Sequence, residues 1–99
     1  MQAIAELALE RAGLSLADVD VVIPHQANKL IIEAGMKAMG VPMEKVVVTI
    51  DWLGNCTAAT VPITLHTAVE TGRLQSGQTA LLLAVGGGYT AGAAVYRAP

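Results

Sequence analysis

The chain contains no phenylalanine, one tryptophan and two tyrosines, although 54% of its 99 residues are hydrophobic. Its core must therefore be aliphatic, built from Val, Ile, Leu and Ala. Charged residues make up only 14% of the chain, which is little for a module of this size. No stretch reaches the roughly 18 apolar residues of a membrane-spanning helix, because the longest run, residues 80–85, has the length of a buried strand. We take the excess of apolar surface as a sign that another piece of protein covers this one.

Cysteine is also scarce. Cys56 is the single cysteine, which excludes an internal disulfide framework and a Cys-based zinc site, and we expect no bound metal. The net charge is −2 and the basic residues are scattered, so there is no electrostatic footprint for nucleic acid. The N-terminus lacks the basic stretch and apolar core of a signal peptide. We expect one domain over residues 1–99, in a reducing, cytoplasmic setting, with neither nucleic acid nor a membrane as partner.

Hydrophobic periodicity divides the chain into helices and strands. Apolar residues at helical spacing that end at a glycine predict helices, and continuous apolar or β-branched runs predict strands. The predicted helices cover residues 4–12, 27–39 and 57–71, and the predicted strands cover residues 19–24, 46–50, 79–85 and 89–97. The apolar stripes of the first two helices consist of Ile4, Leu7, Ala8 and Ala12, and of Ala27, Leu30, Ile31, Ala34 and Ala38.

The predicted order is α-β-α-β-α-β-β, which indicates an α/β fold. Apolar strands separated by helices are typical of a mostly parallel sheet with helices on both faces. The connection between the last two strands is too short for a parallel crossover, so the final strand should be antiparallel.

Polar or glycine-rich turns follow three of the predicted strands. They are Pro24-His25-Gln26-Ala27-Asn28, the turn that contains Gly54-Asn55, and Gly86-Gly87-Gly88. In open α/β sheets, ligands bind at the carboxyl ends of the strands. Because the carboxyl ends of parallel strands meet at one edge, the topology predicts that these turns converge on one pocket.

Structural roles compete with functional ones at each position. A lone histidine after a strand, such as His25, is most often structural, and Asn55 after a glycine is most often a helix cap or turn residue. The triple glycine is no dinucleotide fingerprint, because a strand follows it rather than a helix. Cys56 near a helix start is either an activated thiolate or, more commonly, a small buried residue. His66 lies mid-helix and is interpreted as surface or packing.

The three motifs together resemble a known family. The string VVIPHQAN at residues 21–28, Gly54-Asn55 followed by small residues, and GGGYT at residues 86–90 are similar to the C-terminal part of the ketoacyl-acyl carrier protein synthase III family. The similarity runs from about residue 13 to residue 97. It implies part of one half of a thiolase-like fold, with a mixed, mostly parallel sheet, helices on both faces and a final antiparallel strand.

The resemblance also implies a mechanism and roles. In this family a Cys nucleophile takes an acyl group from acyl-CoA, and a malonyl thioester then loses CO₂ and attacks the acyl-enzyme, as in fatty acid biosynthesis. His25 and Asn55 would donate hydrogen bonds to the thioester oxygen as enolate charge builds on it. Gly87 would lend its backbone N–H to the other oxyanion hole. Asn28 resembles a residue that contacts the pantetheine arm or orders the site.

The chain departs from the family pattern in two respects. The nucleophilic Cys lies in the N-terminal half of such enzymes, and Cys56 does not replace it, so we expect no condensing activity from this chain alone. A basic residue that helps to dock the acidic carrier protein often stands where this chain has Leu30, while Lys29 and Lys37 remain nearby. The malonyl carrier is therefore acyl carrier protein, CoA or a specialised carrier. The resemblance implies a homodimer for the whole enzyme and no cofactor, since acyl-CoA and malonyl-acyl carrier protein are substrates.

Two other functions remain open. The first is a relative that uses the same fold for acyl transfer to another nucleophile in secondary metabolism, with His25 deprotonating the acceptor. The second is a non-catalytic subunit that stabilises or gates another chain. The presence of both His25 and Asn55 argues against the second, because a scaffold needs neither donor.

Overall fold

The computed structural model describes residues 2–26, 28–86 and 90–99 and contains a mixed sheet with helices on both faces. Its helices and strands, in chain order, are α1 (Gln2–Ala12), β1 (Val21–Pro24), α2 (Lys29–Met39), α3 (Ile50–Leu53), α4 (Thr60–Glu70), β2 (Thr79–Gly86) and β3 (Thr90–Arg97). Single 3-10 turns cover Leu16–Asp18, Met43–Lys45 and Thr57–Ala59. The predicted α/β class is confirmed.

The sheet has the order β1-β2-β3. β1 pairs with β2 in parallel, from Val21 opposite Ala80 to Pro24 opposite Leu83. β2 pairs with β3 in antiparallel fashion over its whole length, so the predicted antiparallel final strand is confirmed. The parallel pair places the carboxyl ends of β1 and β2 at one edge of the sheet, which we call the site edge.

Apolar side chains of the sheet alternate between two buried clusters, as the period of two in a strand requires. One cluster joins the sheet to α1 and α2 and includes Ala5, Leu9, Ile32, Met36, Val22, Leu81 and Leu83. The other joins the opposite face to α4 and includes Ala68, Val21, Ile23, Ala80 and Leu74. Every buried hydrophobic side chain in the described part of the chain is Ala, Val, Leu, Ile or Met. The prediction of an aliphatic core is therefore confirmed, with Met36 as an addition.

The predicted strand at residues 46–50 is wrong. Val46 makes one isolated parallel bridge to Val22, the Val47 N–H donates to the Val22 carbonyl at 3.0 Å, and Ile50 already begins α3. A ladder cannot continue here because β1 ends at Pro24, which has no N–H to donate. The segment lies beside β1 without becoming a regular strand.

The apolar stripes that predict the first two helices are not the faces that these helices bury. α1 buries Ala5 and Leu9, one position away from the predicted stripe. α2 buries Ile32 and Met36, whereas Leu30 is 73% and Ile31 is 59% exposed. The described members of the predicted α2 stripe, Leu30, Ile31, Ala34 and Ala38, are all exposed. α2 thus has two apolar faces, and the sheet covers only one of them.

The helix ends follow the sequence signals. Gly40 ends α2 in the left-handed conformation, with φ of 75°, which glycine adopts without strain. Pro62 is the third residue of α4, where its missing N–H interrupts no intrahelical hydrogen bond. No helix in the described ranges is both long and apolar enough to cross a membrane.

Candidate active site

His25 follows β1 directly at the site edge. Its backbone N–H donates to the Leu83 carbonyl of β2 at 2.7 Å, so the residue extends the parallel ladder by one hydrogen bond. The side chain is partly buried. The strand pairing therefore fixes the backbone of His25 rigidly, at the edge where α/β proteins bind ligands.

Asn55 lies in the turn between α3 and α4. Gly54, which precedes it, ends α3 with φ of 67° and ψ of −165°. This conformation is essentially restricted to glycine, although a Cβ atom built there would meet nothing within 4 Å. Gly54 is therefore required for its backbone angles, and those angles turn the chain so that Asn55 leaves the helical path.

Gln26 follows His25 directly and joins it to the segment that leads to Asn55, a role that was not predicted from the sequence. Its side chain is fully buried, and its Oε1 accepts from the backbone N–H groups of Thr49 and Ile50 at 3.0 and 3.2 Å. The residue next to His25 thus holds the start of the short helix that leads to Asn55. A polar side chain between a buried strand and a helix was the available signal, but its partners are 23 and 24 residues away in sequence.

The far end of the Asn55 turn is anchored on α4. The Cys56 N–H donates to the Thr60 hydroxyl at 3.0 Å, and Thr60 is buried. The Thr49 and Thr64 hydroxyls share a buried hydrogen bond of 2.9 Å. Buried hydroxyls of α4 therefore contact the segment 49–56 near both of its ends.

Cys56 fits the structural interpretation rather than that of a nucleophile. Its Sγ lies 3.6 Å from the Leu53 carbonyl and 3.9 Å from the Gly54 carbonyl, so the thiol points back into the turn. His66 was predicted to lie on the surface or in packing, and it lies on the surface. Its Nε2 is 3.7 Å from Oε1 of Glu70, one helical turn later.

Asn28 is the N-cap of α2. Its Oδ1 accepts from the Leu30 N–H at 2.8 Å, in the extended backbone conformation that such caps adopt. This contact orders the start of the helix beside His25. The pantetheine contact that the resemblance implies for Asn28 stays a prediction.

Lys29 forms an ion pair with Asp51 of α3 at 3.1 Å, and both side chains are about half exposed. Such a pair contributes about 1 kcal/mol or less, yet it ties α2 to α3 at the site edge. Lys37 lies in the last turn of α2, about 12 Å farther along the helix axis. The positive charge of Lys29 is therefore already shared, which leaves Lys37 as the more independent of the two predicted docking residues.

The predicted oxyanion residue Gly87 lies outside the described residues, as does Ala27 of the first motif. β2 ends at Gly86 at the site edge, next to β1. The carboxyl ends of β1 and β2 thus lie at one edge of the sheet, and the convergence of the three turns on one pocket stays a prediction.

Among the described residues, no three His, Cys, Asp or Glu side chains lie close enough to hold a metal ion. Hydrogen bonds from the Ser15 backbone N–H and then from its hydroxyl lower the pKa of Asp18, but Asp18 precedes β1 and so lies toward the opposite edge of the sheet.

Known structures define the class of fold. The chain is similar to 3-oxoacyl-[acyl-carrier-protein] synthase III from Aquifex aeolicus, with a TM-score of 0.93, 43% identity, and coverage of 98% of this chain and 32% of that one. It also resembles a structure described as the acyltransferase ChlB3, with a TM-score of 0.89, 31% identity, and coverage of 97% and 29%. The predicted thiolase-like fold is thereby confirmed.

The sequence comparisons identify the family. The family described as 3-oxoacyl-[acyl-carrier-protein (ACP)] synthase III C terminal matches residues 9–98. The beta-ketoacyl-[acyl-carrier-protein] synthase III of Deinococcus deserti is 53% identical over 81 residues, which are 82% of this chain and 23% of the relative. The chain belongs to the 3-oxoacyl-[acyl-carrier-protein] synthase III C-terminal family, and it spans about a quarter of the length of this relative.

Proposed function

We propose that this chain supplies the enolate-stabilising half of a 3-oxoacyl-acyl carrier protein synthase III active site in cytoplasmic fatty acid biosynthesis. The substrates are an acyl-CoA primer and malonyl-acyl carrier protein, and the reaction uses no cofactor. The observation that carries the proposal is the family match over residues 9–98, which includes His25 and Asn55.

In the proposed reaction the malonyl carboxylate leaves as CO₂, and its bonding electrons pass to the adjacent carbon and the thioester oxygen. The N–H donors of His25 and Asn55 stabilise the enolate oxygen. The enolate carbon then attacks the acyl-Cys carbonyl, a carbon–carbon bond forms, and the Cys thiolate leaves. Pre-aimed donors in a site without water are the most effective means of lowering such a barrier.

The nucleophilic Cys, which would face the backbone N–H of Gly87 in this chain, requires a second piece of protein. Ile31 of α2 and Trp52 of α3, which are 59% and 62% exposed, support such a contact, as does the 37% exposed Leu53. Apolar surface concentrated on helices that begin beside the site is typical of a covered interface. We propose that the N-terminal half of the enzyme covers this edge and that the whole enzyme is a homodimer.

A chimaera tests the proposal. In it, this chain replaces the aligned segment of the Deinococcus deserti relative, and we call this protein the chimaera below. We expect the chimaera to form 3-ketoacyl product from acyl-CoA and malonyl-acyl carrier protein, and we expect none from this chain alone or from the truncated relative alone. Product from this chain alone would contradict the proposed division of the site.

The similarity to ChlB3 favours a second candidate, acyl transfer to another nucleophile. His25 would then take a proton from the acceptor hydroxyl or amine. The same chimaera distinguishes the two functions, because condensation releases CO₂ from malonyl thioester and simple acyl transfer does not. A chimaera that forms esters or amides without CO₂ release would support the second function.

Carrier docking gives a separate prediction. Leu30 is 73% exposed at the position where the family often has a basic residue, so Leu30→Arg should strengthen the contact with an acidic carrier protein. We expect the KM for malonyl-acyl carrier protein to fall about fivefold, which corresponds to about 1 kcal/mol for one exposed charge pair. The change should disappear at high ionic strength.

The control variant for carrier docking is Ala17→Arg, which adds the same charge in the exposed turn before β1. We expect it to leave the KM unchanged. A fall of the same size with malonyl-CoA as substrate would argue against docking of the carrier protein at Leu30.

A further inference from the structure

The side-chain amide of Gln26 makes every hydrogen bond that it can make. Its Nε2 donates to the carbonyls of Pro24 at 2.8 Å and Val47 at 3.1 Å, and its Oε1 accepts from the N–H groups of Thr49 and Ile50. A carboxamide has two N–H donors and accepts two hydrogen bonds, and the side chain is fully buried. No other natural side chain of this length can satisfy the same four groups.

These contacts replace a strand pairing. β1 stops at Pro24, and the Val47–Ile50 segment does not continue as a strand beside it. The Gln26 amide takes the place of a peptide group. Its Nε2 donates to one carbonyl of β1 and one carbonyl of the Val47–Ile50 segment, and its Oε1 accepts from two N–H groups of the Val47–Ile50 segment. The two segments are thereby joined at the residue next to His25.

Only four helical residues separate this junction from Gly54 and Asn55. The other end of the turn is held through the Cys56 N–H and the buried Thr60 hydroxyl. A displacement of the Gln26 side chain would therefore be transmitted to Asn55, because α3 is a single short helix and moves as one unit.

We infer that Gln26 is the positioning residue that sets the Asn55 turn against His25, so that both donors reach the same oxygen. The inference rests on the proposed function. Gln26 itself cannot contact substrate, because its amide is buried and all four of its hydrogen bonds are used. Its effect on the reaction must pass through the two donors.

The test measures the two half-reactions of the chimaera separately. Gln26→Met keeps the length of the side chain and removes all four hydrogen bonds. We expect the kcat for malonyl decarboxylation to fall about 100-fold, since a displacement of about 1 Å at a reacting centre has an effect of that size. The KM for the malonyl carrier and the rate of acyl transfer from acyl-CoA should stay within about threefold of the unmodified chimaera.

A destabilised control shows what loss of structure alone does. Leu9→Ala removes a buried side chain of α1 in the cluster on the α1 and α2 face, away from the Asn55 turn. We expect both half-reactions of this variant to fall together, in proportion to the folded fraction. The same pattern in a Gln26→Met chimaera that is as fully folded as the unmodified chimaera would overturn the inference.

A double variant shows whether Gln26 acts through Asn55. In a chimaera that already carries Asn55→Ala, Gln26→Met should lower decarboxylation by less than threefold, because the donor that it positions is gone. Full additivity of the two losses would overturn the inference. Retained decarboxylation in Asn55→Ala and His25→Ala would instead overturn the proposed function.

If Gln26→Met does not fold, Thr60→Val perturbs the same turn from its other end. It should show the same selective loss of decarboxylation, at about tenfold. Equal loss in both half-reactions would overturn the inference.

Discussion

Replacing either His25 or Asn55 by alanine in the chimaera is expected to lower the kcat for malonyl decarboxylation by about 100- to 1,000-fold. Removal of one oxyanion donor has an effect of this size in other enzymes. In the proposed mechanism the donors serve the enolate and not the acyl-Cys, so acyl transfer from acyl-CoA should continue. CO₂ release and single-turnover acylation of the enzyme measure the two steps independently.

The chain provides a matched control for the histidine. His66 is exposed on α4, and His66→Ala should leave both steps unchanged. Decarboxylation in His25→Ala at more than about a third of the original rate would remove His25 from the proposed enolate site. If His25→Ala and Asn55→Ala both leave the rate of decarboxylation unchanged while the chimaera stays active, the chain is a non-catalytic partner.

Leu81→Ala is expected to have the largest effect on stability, lowering the free energy of unfolding by about 2–5 kcal/mol. Leu81 is fully buried in β2, which pairs with β1 on one side and β3 on the other. Deletion of its side chain leaves a cavity that two fixed hydrogen-bonded neighbours cannot close. A domain of this size has only about 5–15 kcal/mol of stability in total. Urea unfolding of the isolated chain measures the change.

Leu7→Ala is the comparison for Leu81→Ala. Leu7 is 40% exposed on α1, so its truncation should change the free energy of unfolding by about 0.5 kcal/mol or less. Equal effects of the two substitutions would mean that β2 is not the centre of the core in solution.

Much of the fold can be read from hydrophobic periodicity. α1, α2 and α4 begin and end within about three residues of the predicted bounds, because glycines and a proline mark their ends. Hydrophobic periodicity alone could not show that residues 46–50 do not form a strand. Val46 to Ile50 has the composition of a strand, but a strand also needs a partner, and the β1 edge beside this segment stops at Pro24.

The face that a helix buries does not follow from its periodicity alone. Local periodicity selects the most apolar stripe, whereas the structure decides which stripe meets the sheet. On α2 the stripe of Leu30, Ile31, Ala34 and Ala38 is exposed, and Ile32 and Met36 are buried. A helix with two apolar faces gives no local signal for choosing between them.

Candidate site residues could be predicted where they directly follow or precede a predicted helix or strand. They could not be predicted where their role depends on hydrogen bonds between segments that are distant in sequence. His25 follows β1, and the Gly54-Asn55 turn precedes a helix, so their motifs are visible in the sequence. Gln26 and Thr60 act through hydrogen bonds to backbone groups in other segments. No pattern of residue types records which backbone groups a fold leaves without a partner.

The four hydrogen bonds of Gln26 have a consequence for how substrate-binding free energy is used. They join groups that belong to this chain alone and form as part of its folding, so the entropy of ordering the Asn55 turn is lost during folding and not on encounter with the malonyl thioester. The donors are then preorganised. Under the proposed function, binding energy from the carrier and pantetheine arm is then free to align the malonyl carboxylate for departure instead of closing a loop.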